Sequence, residues 1–107
     1  MTRVRTLALL ALVGLILWPT VAVAQSATTP AVGLAGIAGK YERVWGFDNT
    51  TQTWKLYDPA IPAAFSDLTT LTRGKGYWLF AKEDATLVYN EKSYSLFKGW
   101  NLIGWLD

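Results

Sequence analysis

Apolar and polar residues alternate in two adjacent stretches of the chain, 41–47 and 52–57. A period of two places every second side chain on one face of an extended strand. The residues between the stretches, Asp-Asn-Thr-Thr, have short polar side chains that favour a turn. The pattern therefore predicts a β-hairpin over residues 41–57. The larger side chains predicted to share its apolar face are Tyr41, Trp45, Phe47, Trp54 and Leu56.

The C-terminal part of the chain has short apolar runs separated by polar turns. Residues 76–82 and 99–106 have large apolar side chains at both odd and even positions, which is typical of strands covered on both faces. Between them, residues 86–89 and 92–97 flank an Asn-Glu turn and predict a second hairpin.

The long connection over residues 58–76 contains two prolines, which exclude a central strand there. Ser66 is predicted to cap one helical turn that carries Leu68 and Leu71 and ends at Gly74. The elements together predict a mostly β fold, a small antiparallel sheet or partly open barrel of about five to six short strands with one short helical turn.

The N-terminus has the layout of a secretory signal peptide. Arg3 and Arg5 precede an almost wholly apolar stretch at 6–18, and a proline and an Ala-Val-Ala triplet follow. This order predicts cleavage between Ala24 and Gln25.

An uncleaved membrane anchor is the alternative, because residues 6–24 are uncharged and approach the length of about 20 residues that spans a bilayer. Both interpretations place the rest of the chain outside the cytoplasm, secreted or at the cell envelope. The predicted division is a signal peptide at 1–24, a linker and weak helix at 25–40, and an aromatic-rich β domain at 41–107.

Charge and composition exclude several classes of function. The ten Lys and Arg less the two in the predicted signal peptide leave eight, which balance eight Asp and Glu, so the mature chain is neutral and predicts no nucleic-acid partner. Cysteine and histidine are absent, which removes disulfides, the commonest metal ligands and the commonest general base. No catalytic residue, metal or cofactor is predicted, and the chain is expected not to be an enzyme. The carboxylates assigned to turns or loops are Asp48, Asp58, Asp67, Glu83, Asp84 and Glu91.

Aromatic residues are the feature expected to replace disulfides as the source of stability. The chain after residue 24 contains five Trp, five Tyr and four Phe, and each of these can bury about 150–250 Å². The hypothesis is that most of these rings form the core. The candidate core residues are Trp45, Phe47, Trp54, Leu79, Trp100 and Leu102.

The segments VWGFDNTTQTW, YDPAIP, SDLTTLTRGKGYW and SLFKGWNLIGW occur in this order between Ile37 and Trp105. They resemble a tryptophan-rich extracellular module of bacteria that is typified by a GYW strand followed by a GWNLIGW strand. The resemblance implies a secreted or surface unit, often repeated or C-terminal, with no established enzymatic role. Larger members of such a family are expected to have another GWN-type strand before the hairpin, so this chain resembles a single minimal copy.

The hairpin sequence VWGFDNTTQTW also resembles a kelch repeat, in which a Trp follows a polar turn. The Gly-Gly pair that precedes it in kelch repeats is missing, and a single blade cannot bury its own faces. We interpret this likeness as shared hairpin chemistry.

The function expected from the sequence is a non-catalytic interaction module that binds a surface protein or itself. Carbohydrate binding through exposed tryptophans is the alternative, and an enzyme is a distant third. The membrane is expected to be a partner only through an uncleaved signal peptide. The candidate ligand or interface residues are Trp78, Asn101, Trp105 and Tyr57.

Overall fold

The computed structural model describes residues 26–106. The predicted signal peptide lies outside the described residues. In chain order the elements are β1 (Ala27–Thr28), α1 (Pro30–Gly33), a 3₁₀ turn (Ala35–Ile37), β2 (Tyr41–Asp48), β3 (Thr53–Tyr57), a second 3₁₀ turn (Ala63–Phe65), β4 (Leu71–Thr72), β5 (Gly76–Ala81), β6 (Ala85–Tyr89), β7 (Lys92–Leu96) and β8 (Gly99–Gly104). The mostly β prediction is confirmed.

The central feature is a four-stranded antiparallel sheet in the order β3-β2-β5-β8. Its first pair is the predicted hairpin, with Phe47 opposite Trp54. The GYW strand β5 lies between β2 and the GWNLIGW strand β8. Two further antiparallel pairs, β1-β4 and β6-β7, form separate two-stranded sheets. The strands of residues 26–106 therefore form no closed barrel.

The core lies on one face of the central sheet. The sheet contributes Val44, Leu79 and Ile103, and the β6-β7 hairpin contributes Leu87 and Leu96. Alternation along each strand directs these side chains to a common side, where other segments cover them. The remaining buried apolar residues are Leu34, Ile37, Tyr41, Leu68, Leu71, Tyr77, Ala81, Tyr94 and Trp105.

The segment predicted as a linker and weak helix is packed against this core. The Thr29 hydroxyl accepts a hydrogen bond from the Val32 N–H at 3.3 Å, and a proline occupies the first position of α1, as helix starts favour. Leu34 and Ile37 are each only 1% exposed. The segment is therefore part of the folded domain.

The predicted helical turn after Ser66 is wrong. The structure instead has a 3₁₀ turn at Ala63–Phe65, before Ser66, and Ser66 ends this turn. The next residues run extended beside β3, because the Leu56 N–H donates to Asp67 Oδ1 at 2.7 Å and the Leu68 N–H donates to the Leu56 carbonyl at 2.9 Å. These contacts with a distant strand override the local helical signal.

Tyr41 gives the folded protein a sensitivity to alkaline pH. Its ring is buried, and burial raises the pKa of its hydroxyl well above the ordinary value of 10.0, with further increases from Tyr57 and Asp58. The folded protein therefore holds this proton more tightly than the unfolded chain does. The stabilisation is complete below pH about 10 and is lost as the pH rises above that value.

We expect the free energy of unfolding, measured by urea denaturation, to fall as the pH rises above about 10. The free energy of unfolding of Tyr41→Phe should fall less steeply, because this variant lacks the hydroxyl whose proton is held more tightly in the folded state. An equal slope in both proteins would contradict the assignment to Tyr41.

Candidate functional site

The face of the central sheet opposite the core carries a continuous set of apolar side chains. Strand register places Trp45 between Leu56 and Trp78, and places Phe80 opposite Trp100. Directly opposed residues of neighbouring strands point to the same side. We call this surface the aromatic face, and its residues are Trp45, Phe47, Trp54, Leu56, Trp78, Phe80, Trp100 and Leu102.

The aromatic face is open to solvent. Trp54 and Trp100 are each 52% exposed, Trp78 is 39% exposed and Leu102 is 63% exposed. With about 200 Å² per indole, the three tryptophans alone expose about 300 Å², which is within the range of the largest, often functional, patches of monomeric proteins.

Each strand of the sheet contributes one tryptophan to the aromatic face. In sheet order these are Trp54, Trp45, Trp78 and Trp100, and they form a diagonal band. Strand spacing and residue rise give the band a length of about 20 Å. The four indoles line a broad, shallow depression of about 740 Å³.

Edge-to-face ring pairs orient two of these indoles. The ring centroids of Phe47 and Trp54 lie 5.1 Å apart at an interplanar angle of 67°, and those of Phe80 and Trp100 lie 5.1 Å apart at 72°. Such pairs contribute about 0.5–1.5 kcal/mol beyond burial. The indoles are thus held in place before any partner arrives, which lowers the entropy cost of binding.

The chemistry of the aromatic face is almost entirely apolar. None of its strand positions holds a carboxylate, amide or hydroxyl side chain. Arg43 lies at one corner, opposite Phe80, and its guanidinium contacts Glu42 Oε1 at 3.0 Å. At the opposite corner Gly76 faces Gly104, which leaves that part of the surface without side chains.

The prediction that Trp45, Phe47, Trp54, Trp100 and Leu102 form the core is wrong. These residues do share one face, as the alternation predicts, but it is the face that residues 26–106 leave uncovered. Leu79 is confirmed as a core residue, with no exposed surface.

The broader hypothesis that most of the aromatic rings lie in the core is also wrong. Of the fourteen aromatic residues after position 24, four are buried: Tyr41, Tyr77, Tyr94 and Trp105. The other ten buried apolar residues are aliphatic. Aliphatic packing of the N-terminal segment, the loop before β4 and the β6-β7 hairpin onto the sheet is therefore the main source of stability.

Two of the predicted ligand residues point to the core side of the sheet. Trp105 is 1% exposed and stacks on Tyr94, with centroids 5.1 Å apart at 7°. Asn101 closes the β7-β8 connection, since its Oδ1 accepts from the Phe97 N–H at 3.0 Å and its Nδ2 donates to the Phe97 carbonyl at 2.8 Å. Neither residue can belong to the aromatic face.

The remaining two differ in position. Trp78 lies in the middle of the aromatic face, where the sequence placed a ligand residue. Tyr57 is half-buried, packs against the core and is paired with Val44 on the other side of the sheet. Of the four candidates, the structure therefore places only Trp78 on the open surface.

A polar cleft of about 350 Å³ lies between the β2-β3 turn and the segment before β5. Both carboxylates that line this cleft accept hydrogen bonds from other residues of the fold. Asp48 accepts hydrogen bonds from the Thr50 hydroxyl and N–H, which hold its pKa below the ordinary value, and Asp67 accepts from the Leu56 N–H. Residues 26–106 bring together no group of three or more side chains suited to a metal ion.

No helix in the described part of the chain is long and apolar enough to cross a bilayer. Comparison with protein-family models, curated proteins and solved structures finds no match to this chain. The functional argument therefore rests on the aromatic face itself.

Proposed function

We propose that this chain is a non-catalytic interaction module that docks a protein partner through the aromatic face. The observation that carries the proposal is the ordered band of four tryptophans, one from each strand, of which Trp54, Trp78 and Trp100 are more than a third exposed. Tryptophan is enriched among the residues that dominate protein-protein affinity, because it desolvates a large area with few rotatable bonds. The signal-peptide pattern at 1–24 supports a location outside the cytoplasm.

The lack of polar groups favours a protein partner over a glycan. A sugar needs hydrogen-bonding side chains around the ring that it stacks on, as polar ligands in general do. The amide expected to serve this purpose, Asn101, bonds the backbone at Phe97 and Gly99 on the other side of the sheet. An apolar protein surface can bind through shape complementarity and the exclusion of water, and the aromatic face supplies both.

The double substitution Trp54→Ser and Trp78→Ser is expected to abolish partner binding while the fold is kept, since both side chains point away from the core. The measurement is quantitative capture of envelope or secreted proteins from the producing cell by the immobilised chain. A loss of at least about 30-fold in affinity is expected if these residues are hot spots.

Val88→Ser is the matched control, because Val88 is 57% exposed but lies on the separate β6-β7 pair. Equal capture by the double variant and the control would contradict the proposal. The carbohydrate alternative predicts instead that a soluble polysaccharide shifts tryptophan fluorescence, and that the double variant loses this shift.

A further inference from the structure

The two edges of the central sheet differ in whether another part of the chain covers them. At the β3 edge, the Leu56 N–H and carbonyl bond Asp67 and Leu68, and the Asp58 N–H donates to Ser66 Oγ at 3.1 Å. The β8 edge has no strand partner on its outer side among residues 26–106. One edge is thus covered by the chain itself, and the other is open.

Hydrogen bonds just beyond β8 show which of its backbone groups point to the open edge. The Trp105 N–H donates to the Lys75 carbonyl at 2.9 Å and the Trp105 carbonyl accepts from the Gly74 N–H at 2.8 Å, so Trp105 points toward the β5 side. Leu106 points the other way and donates to the Tyr94 hydroxyl at 2.8 Å. Regular alternation then directs the N–H and carbonyl of Gly104, Leu102 and Trp100 outward.

The open edge lacks the features that keep edge strands apart. Natural proteins place charges, prolines or bulges on such strands to prevent them from pairing. β8 contains no charged residue and no proline, and its register with β5 is unbroken. Another strand can therefore pair with β8 at this edge. The outward N–H and carbonyl groups occur on every second residue, which is the spacing that antiparallel pairing uses.

We propose that β8 pairs with β8 of a second copy of this chain, antiparallel, about a two-fold axis at Leu102. In this register Leu102 of one copy lies opposite Leu102 of the other, and each Trp100 lies opposite Gly104. All three positions direct their backbone groups to the edge, so the pairing uses every open donor and acceptor of the strand. The interface is isologous, as closed dimers require.

The space at Gly104 fits this register. A Cβ atom built on Gly104 meets no atom within 4 Å, so the surface beside Leu102 is vacant in one copy. In the dimer the indole of Trp100 from the other copy, 52% exposed in the monomer, covers this vacancy. An aromatic side chain opposite an edge glycine is a recognised way to pin strand register.

The dimer joins two four-stranded sheets into one of eight strands. Because the two-fold axis is perpendicular to the sheet, both aromatic faces lie on the same side and form one continuous surface. This inference goes beyond the proposed function, since it holds whether or not a partner binds that surface. With three facing backbone pairs and two apolar side chains per copy, the interface buries less than about 1,200 Å², which is typical of reversible association.

The test is sedimentation velocity of the full chain at concentrations from about 1 μM to about 1 mM, the range in which an interface of this size dissociates. The wild type is expected to shift from monomer to dimer. Leu102→Lys and Leu102→Glu should each stay monomeric, since like charges meet at the axis. A one-to-one mixture of the two variants should dimerise again.

Two controls identify the surface. Val88→Lys places the same charge at a similarly exposed site on another sheet and should dimerise like the wild type. Trp54→Ser lies on β3, far from β8, and should also dimerise, whereas packing of two aromatic faces would require Trp54.

Any of three results would overturn the proposal: a wild-type monomer at the highest concentration, dimers of both Leu102 variants separately, or no recovery in their mixture. Circular dichroism of each variant confirms that it is folded. The capture experiment changes Trp54 on β3 and Trp78 on β5, and neither lies at the β8 edge, so one proposal can fail while the other stands.

Discussion

Replacing Trp105 by alanine is expected to lower the free energy of unfolding by about 3–5 kcal/mol, the usual cost of removing a large ring from a core. Trp105 stacks on Tyr94 and lies 5.5 Å, centroid to centroid, from Tyr89. Its ring also approaches Gly33, where an added Cβ would lie 3.0 Å from the indole. Domains of this kind have a total stability of about 5–15 kcal/mol, so a large fraction of it depends on this one side chain.

Trp100→Ala is the matched control, since it removes the same side chain from the other side of the same chain segment. Trp100 is 52% exposed, and the substitution removes its ring pair with Phe80. We expect a loss of about 1 kcal/mol or less. Urea denaturation followed by circular dichroism measures both variants. A loss in Trp100→Ala equal to that in Trp105→Ala would show that the aromatic face is covered in solution.

The contrast between these two tryptophans marks the limit of prediction from sequence. Alternation predicts that residues five apart on a strand point to opposite sides, and the structure confirms this for Trp100 and Trp105. The same alternation cannot say which side is covered. Both faces of 99–106 are apolar, so the pattern has no polar side to mark solvent.

The two segments that cover the core, residues 31–39 and 58–76, were hard to recognise because their sequences give only weak signals for secondary structure. Residues 31–39 are rich in glycine and alanine and predict a marginal helix, yet Leu34 and Ile37 from this segment close the core. The loop at 58–76 has prolines that exclude a central strand and a short segment that predicts one helical turn, but Leu68 and Leu71 reach the core from it without that turn. A few apolar anchors in otherwise polar segments decide which face of the sheet is buried.

The strands themselves were predictable because their signals are local. The β2-β3 hairpin follows from a polar turn between two alternating runs, and Asp48 accepts a hydrogen bond from the Thr50 N–H at 2.9 Å, as an Asx turn does. The β6-β7 hairpin follows from the Asn90-Glu91 turn, where both residues have positive φ. Strand order in the central sheet joins residues far apart in sequence, so it was not predictable from these signals.

Gly46→Val is the second substitution expected to have a large effect, with a loss of about 3 kcal/mol in the free energy of unfolding. Gly46 is in the middle of β2 and faces the core, opposite Tyr77. A Cβ atom at this position would lie 2.8 Å and 2.9 Å from Cε1 and Cδ1 of Tyr77 and 3.0 Å from Cδ1 of Leu68. All three contacts are closer than packed carbon atoms allow.

The Tyr77 ring cannot move aside, because it is held at both ends. Its backbone lies between β2 and β8, and its hydroxyl accepts a hydrogen bond from the Thr72 N–H at 2.8 Å. Gly104→Val is the matched control: valine suits a strand, and no atom lies within 4 Å of the added Cβ. We expect a change within about 0.5 kcal/mol for the control, measured by urea denaturation at low protein concentration. Equal losses would mean that the destabilisation comes from placing valine at a glycine position of the strand, and not from the close approach of Tyr77 to Gly46.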